Sequence, residues 1–462
     1  MSDVLVVGGG LAGITAALDC AEQGASVTLV EVRRRLGGAA YSFERDGLQM
    51  DNGQHVFLRC CHAYRALLER LGSSHLVAVQ PRLSIPVLSP GCPPARLARG
   101  GLPAPAHLAG ALARYPHLSP RRRLGAARSA LALMRLDPSR EALDAGTFGH
   151  WLARHGQDED AVAALWDLIA LPTLNLPAAE ASLALAAFVF RTGLLSGSDA
   201  GDIGFHLGTL QAIIGNPAQA ALERAGVEIH LGWRAERLLR TADGFELHAR
   251  APGGEEALGA ATVVVALPHD RAGGLLAPLL GPHAGRSAPL ESSPIVNLHL
   301  LYDRPVLDEP FAAGVGTPLQ YIFDRTDAAG APPGTQYLAV SISGAIREME
   351  LSVEQLRERF LPAMAALLPR VRDARLERFL VTREHAATFR AGPGSAMLRP
   401  AAQTAVPGLT LAGNWTATGW PATLESAVLS GHTAARLTLA EHPAGRTRRT
   451  ARRVREPARG LR

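Results

Sequence analysis

The residues Val4-Leu5-Val6-Val7-Gly8-Gly9-Gly10-Leu11-Ala12-Gly13 constrain this chain more than any other segment. An apolar run followed by glycines at these spacings reads as a buried parallel strand that turns sharply into a helix. Gly8 permits the tight turn, Gly10 lets the backbone approach a pyrophosphate, and Gly13 lets the helix pack close to the strand. The helix is expected from about Leu11 to Gln23. Its unpaired N–H groups, from Leu11 and Ala12 onward, and its dipole would face the phosphates. Gly24 ends it, and Ala25 to Val30 reads as the second strand. Glu31, with Val32 after it, stands where a carboxylate accepts hydrogen bonds from ribose hydroxyls. Strand, glycines, helix, strand and acid in this order predict a Rossmann-type α/β domain.

The far end of the chain carries a second signal. Leu409-Thr410-Leu411-Ala412-Gly413-Asn414-Trp415 reads as a short strand that returns to the same cofactor. A nicotinamide enzyme usually completes its site locally, whereas a flavin held along its length can recruit both ends, so the pair points to FAD. Arg33-Arg34-Arg35-Leu36-Gly37-Gly38, with Ala39 next, resembles a segment of flavoproteins in the amine oxidase and carotenoid desaturase superfamily. Paired glycines admit the diphosphate, and an arginine fork such as that of Arg35 can clamp a phosphate. The resemblance implies an amine oxidase or glutathione reductase-like FAD domain interleaved with an α+β substrate domain. It also implies that Gly53, Gln54 and His55 line the flavin, that the Val227 backbone touches adenine, and that Gly413-Asn414 meets the ribityl chain. The superfamily commonly has Gly-Asp at that last pair; Asn414 keeps an acceptor without the charge. Gly419 to Gly431 reads as a turn feeding a helix, with Pro421 in its first turn. Thr423, Leu424 and Ala427 would then sit at the flavin's pyrimidine edge, where the helix dipole favours negative charge.

At 462 residues the chain exceeds one ordinary core. The expected division is an FAD-binding domain from 1–80, 200–290 and 390–440, a substrate domain from 81–199 and 291–389, and a disordered arginine-rich tail over 441–462. Leu83 to Leu88 suits an edge strand, Arg121 to Met134 and Phe148 to Leu174 read as helical, and Pro294 to Tyr302 and Tyr337 to Ile342 as strands. The four cysteines form no C-x-x-C pair, so reduced thiols in a cytoplasmic protein and no metal centre are expected. A first strand beginning near Val4 leaves no room for a signal peptide, and no apolar run is long enough to span a bilayer.

The formal charge is +5, but residues 446–462 hold eight arginines and one glutamate, so the rest of the chain carries −2. Such a tail is a solvated extension or a site for anionic lipid at the inner face of the membrane. No basic stripe with interleaved aromatics accompanies it, which argues against nucleic acid. All 47 basic residues are arginines. Many flavin amine oxidases resemble one another in a lysine beside the flavin, and this chain cannot supply one.

A closer resemblance rests on Asp51-Asn52-Gly53-Gln54-His55, Leu102-Pro103-Ala104-Pro105, Leu165-Trp166-Asp167, Leu174-Asn175 and Thr418 to Ala427. Together these are similar to the hydroxysqualene dehydroxylases, also labelled squalene-associated FAD-dependent desaturases, of bacterial squalene and hopanoid synthesis. That resemblance covers residues 1 to about 440. It implies replacement of an allylic hydroxyl by hydride from reduced flavin N5, an acid for the leaving oxygen, a dry apolar tunnel and an external electron donor. Trp166, Leu171, Leu174, Leu176, Phe188, Phe190 and Trp420 are the candidate tunnel residues, and His55 and Asp167 the candidate acids. Two readings compete: a carotenoid desaturase running the flavin oxidatively, and a non-enzymatic prenyl-chain binding protein.

Overall fold

The computed structural model describes residues 1–281 and 290–441; the expected arginine-rich tail, Glu441 apart, lies outside the described residues. Two seven-stranded sheets organise them. In the first, Glu228–Leu231, Val27–Glu31, Ser2–Val7 and the second half of Gly254–Val265 run parallel in that order. Leu409–Leu411 adds a fifth parallel strand beside Val263 to Val265. The meander Arg234–Arg240, Phe245–Ala251 and Gly254–Val265 closes the other side. Val4, Leu5 and Val6 are fully buried, as an uninterrupted apolar run covered on both faces must be. The opening helix Leu11–Glu22 and the closing helix Leu424–Glu441 pack side by side against this sheet, so both ends of the chain meet there. Parallel strands direct ligands to their carboxyl ends. Here Gly8, Val32, Ala266 and Ala412 follow those ends.

The second sheet has the order Leu376–Phe389, Ser292–Tyr302, Gln336–Ser343, Tyr321–Asp324, Phe311–Gly314, Ser84–Leu88, Ala95–Ala98. The central strand Ser292–Tyr302 shows how it is used. Val296, Leu298 and Leu300 pack with Phe360 and Met364 of the helix Val353–Leu367. Asn297 and His299, one residue out of phase, face the other way; Asn297 donates to the Asn52 carbonyl of the first domain, and His299 bonds Thr382 on the neighbouring strand. One face of the sheet is therefore core and the other is site. The helix is started by a capping box in which Ser352 and Gln355 satisfy each other's backbone N–H groups.

A helical lobe packs on the second sheet, built from Pro120–Leu133, Phe148–Arg154, Asp167–Leu174 and Leu183–Phe190. Its core is aromatic, with Phe148 and Phe190 both against Trp166.

Three expectations are corrected. Ser84–Leu88 is not an edge: Ala95–Ala98 covers one side, and Phe311–Gly314 pairs on the other through Val87 and Leu88. Pro86 is tolerated because the second pairing begins one residue after it. The helix expected from Phe148 to Leu174 is broken, because Gly156 (φ +74°) ends one turn and the Asp158 side chain caps the next. Pro421 precedes the closing helix; Thr423 caps it, with its Oγ1 accepting from the Ser426 N–H at 3.2 Å.

Candidate functional site

The opening turn has a crowded side and an open side. A Cβ on Gly13 would stand 1.9 Å from the Gly8 carbonyl oxygen, so only glycine lets helix and strand approach this closely. A Cβ on Gly10 would meet nothing nearer than Gly38 Cα at 3.7 Å. The helix behind it has no side-chain cap and no acidic residue in its first turn, an arrangement that suits a phosphate. Gly38 closes against the same turn, where a Cβ would lie 2.7 Å from Gly10 Cα. Gly37 donates its N–H to the Gly9 carbonyl at 2.9 Å, which holds the arginine–glycine segment in place. Gly10 and Gly38 thus form a backbone-lined cradle, and this is the observation that fits a dinucleotide pyrophosphate.

Glu31 is buried at the end of its strand, its two carboxylate oxygens accepting from the N–H groups of Gly9 and Arg33 at 2.7 Å each. Those bonds fix the carboxylate and leave lone pairs for ribose hydroxyls. Val32 and Ala39 are exposed beside it. Arg35 stacks its guanidinium over the Tyr41 ring at 3.7 Å, and burial draws its pKa below the ordinary arginine value. Val227 is corrected: it precedes Glu228, which pairs with Thr28, and so lies at the amino end of the strand. Four residues along a strand amount to about 13 Å. Trp233, past the carboxyl end of that strand, lies beside Glu31 instead, its N–H donating to the Glu31 carbonyl at 3.0 Å.

At the closing end, Gly413 donates to Ser430 Oγ at 2.8 Å and Trp415 Nε1 donates to the Leu267 carbonyl at 2.9 Å. These bonds tie the loop to both its helix and the central strand. The half-buried Asn414 side chain makes no hydrogen bond among the described residues, while its carbonyl accepts from Arg399 and Ser426. Arg399, which the sequence did not flag, is buried and donates also to the Thr416 carbonyl and Thr418 Oγ1. Burial draws its pKa down to about 10. Leu424 and Ala427 lie in the first turns of the closing helix, beyond the Thr423 cap.

The polar face of the second sheet meets the segment Asp51 to His55. Asn297 Nδ2 donates to the Asn52 carbonyl at 2.8 Å, directly under Gly53. Thr382 Oγ1 donates to the same carbonyl. Glu384, two residues further along that strand, accepts at Oε1 from Tyr41 O–H at 3.1 Å and Asn52 Nδ2 at 3.0 Å. Its Oε2 makes no hydrogen bond among the described residues. Tyr41 follows the paired glycines and was within reach of sequence reasoning. Glu384 was not, because only the sheet brings it across from residues more than three hundred positions away.

His55 sits next to this cluster with Nδ1 against the Gly53 carbonyl at 3.1 Å, and burial lowers its pKa. A histidine held neutral is a poor proton donor. Gln54 is half-buried between them. Asp167 stands apart in the helical lobe, accepting from the Ala178 N–H at 2.6 Å, and burial raises its pKa. Of the tunnel candidates, Trp166, Leu174, Leu176 and Phe190 are at most 5% exposed and are packed core. Trp166 also spends its N–H on Gln157. Leu171, beside Gly344, is half-buried. Phe188 and Trp420 meet edge to face at 5.0 Å, joining the helical lobe to the closing loop.

Residues 11–439 match the family of flavin containing amine oxidoreductases. The hydroxysqualene dehydroxylase of Rhodopseudomonas palustris is 30% identical over 443 residues, covering 95% of this chain and 98% of that protein. The zeta-carotene desaturase of Zea mays is 23% identical, covering 93% of this chain and 82% of that protein. An oxidoreductase from Methanosarcina mazei superposes with a TM-score of 0.74 at 17% identity, over 94% of this chain and 100% of that one. This chain belongs to the flavin-containing amine oxidoreductase family. It is an FAD-dependent oxidoreductase with the α/β fold of that family. Among the described residues no helix is long and apolar enough to cross a membrane, and no cluster of histidine, cysteine and acidic side chains could hold a metal ion.

Proposed function

We propose that this enzyme reduces hydroxysqualene to squalene, and that Glu384 is the acid for the departing hydroxyl. The observation that carries this reading is the placement of a carboxyl group with one free oxygen against the Asn52 to His55 segment. An oxidative desaturase removes hydrogens and has no leaving oxygen to protonate, so it has no use for such a donor. A reductive dehydroxylase does: protonation makes water the leaving group, and the allylic carbon delocalises the charge left behind. Reduced FAD supplies the hydride equivalent for that carbon.

The remaining residues bind and orient. Gly8, Gly10, Leu11, Ala12 and Gly13 hold the pyrophosphate, Glu31 the ribose, and Gly37, Gly38 and Arg35 the diphosphate and ribityl chain. Asn414 meets the ribityl chain, and the amino end of the closing helix, from Thr423 to Ala427, sits at the pyrimidine edge of the isoalloxazine. Leu171, Phe188 and Trp420 line the apolar approach, where burial contributes about 0.8 kcal/mol per CH₂. The segments 1–80, 200–290 and 390–440 then act as the flavin unit and 81–199 with 291–389 as the substrate unit. An external donor re-reduces the flavin.

The test is anaerobic incubation of the dithionite-reduced holoprotein with hydroxysqualene, with product identified by mass spectrometry. Squalene is the expected product. Glu384→Gln keeps the acceptor oxygen but cannot donate a proton, and should lose at least about a hundredfold in rate with its flavin absorbance intact. No squalene from the wild type, with dehydrogenation of a carotene under oxidising conditions instead, would replace this reading with that of a desaturase. An undiminished Glu384→Gln would return the acid's role to Asp167.

A further inference from the structure

The helix Pro120–Leu133 contains four arginines and no acidic residue. Two are used within the fold. Arg122 pairs with Asp158 and Asp160, and Arg123 donates to the carbonyls of Tyr115 and Leu118 at 2.9 Å. The opposite side is different. Arg121, Leu124, Arg128 and Leu131 are exposed there, as is Pro120 at the helix start, and Arg135 continues the row one turn on. At 3.6 residues per turn these arginines and leucines fall within about 80° of arc. Ala126, Ser129 and Leu133 form the buried side that anchors the helix. Leu124 and Leu131 are 54% and 51% exposed. Among the described residues the side chains of Arg121, Arg128 and Arg135 make no hydrogen bond or ion pair.

We infer that this face docks the enzyme on an anionic lipid bilayer. The alternation chooses the occupant. Guanidinium groups fork onto phosphates, which nucleic acid, acidic protein and lipid headgroups all offer in some form. Exposed leucines set between them gain nothing from nucleic acid, but they reach the acyl boundary of a bilayer while the arginine stems lie along it and keep their charges at the headgroups. The charge here is local: outside residues 446–462 the chain carries a net −2, so this row is a positive stripe on a slightly negative body. The inference does not depend on which isoprenoid is turned over. It assigns the contact to the folded helix and not to the arginine-rich end of the chain.

Co-sedimentation of the full-length holoprotein with phosphatidylcholine vesicles, with and without phosphatidylglycerol, reads the contact directly. The wild type should sediment only with the anionic vesicles. Each arginine near such a surface contributes about fivefold, so Arg121→Gln/Arg128→Gln/Arg135→Gln should weaken partitioning by about a hundredfold. Leu124→Ser/Leu131→Ser should weaken it by about tenfold. Truncation after Glu441 should cost less than the triple arginine change. All five side chains are exposed, so thermal melting and flavin absorbance should be unchanged, as should turnover of detergent-dispersed substrate. Wild-type sedimentation of the triple variant would overturn the inference, as would a truncation that alone abolishes binding. An unaffected leucine double variant would overturn it too, because the contact would then be purely electrostatic and the partner an acidic protein or nucleic acid.

Discussion

Two glycines three residues apart do different work in the opening turn, and they can be separated by experiment. Gly13 is closed by its own fold: the atom an alanine would strike is a backbone oxygen of Gly8, whose N–H is bonded to the Val30 carbonyl. Neither backbone can retreat without opening the sheet. Gly10 is closed only by what it binds. Gly13→Ala should therefore lower the melting temperature of the apoprotein, with overpacking costing about 1–3 kcal/mol or more, and yield a colourless protein. Gly10→Ala should leave apoprotein melting unchanged and lower only FAD affinity, read as the absorbance retained after gel filtration. Equal effects of both changes on apoprotein stability would contradict this division. The same scale shows how Glu31 can be buried: two backbone N–H groups satisfy its carboxyl oxygens before any ribose arrives.

Elements are joined here by side chains that cap one helix from another. Glu425, in the first turn of the closing helix, is 3% exposed. Its two oxygens accept from the Ala63 N–H at 3.0 Å and the Tyr64 N–H at 2.7 Å, at the start of the helix His62–Leu71. That helix has no capping side chain of its own, so a residue more than three hundred positions away supplies it. Glu425→Ala should cost about 2–3 kcal/mol, measured by urea unfolding, because two buried donors lose their acceptor at once. A cost below half of that would mean water replaces the carboxylate. The helices and parallel strands at the two ends were legible in the sequence, since local periodicity and glycine spacing specify them: Leu11–Glu22, Val27–Glu31 and Leu409–Leu411 lie close to where the pattern puts them. What was not legible depends on pairing across distance. Nothing near Glu384 or Arg399 marks them as neighbours of Asn52 and Asn414, and the periodicity of Phe148 to Leu174 hid the turn that Gly156 and Asp158 impose.

At the scale of the whole molecule, buried neutral histidines hold together segments distant in the chain, and that makes its stability depend on pH. His206 presents Nδ1 to the His55 carbonyl at 2.8 Å and Nε2 to the Tyr64 hydroxyl at 2.7 Å. The carbonyl can only accept, so Nδ1 carries the proton and Nε2 accepts from the phenol. His299 lies between Tyr337 and Thr382. Burial pushes the pKa of His206 down to about 3 and that of His299 to about 4, from an ordinary value of 6.5. Both folded values lie below the unfolded one, so between them the unfolded chain binds protons that the folded chain refuses. Stability is then full above about pH 6.5 and falls as the pH drops, down to about 4 for His299 and about 3 for His206. Each histidine contributes a slope of about 1.4 kcal/mol per pH unit, and the two together about 3. Urea unfolding across this range should show that decline, with burial of His55 and His269 acting in the same direction. Replacing His206 by glutamine preserves a donor for the carbonyl and an acceptor for the phenol while removing the titration. That variant should unfold with a slope shallower by about 1.4 kcal/mol per pH unit below about pH 6. An unchanged slope would mean that His206 is already protonated in the folded protein, and that the hydrogen bond from Tyr64 is not made.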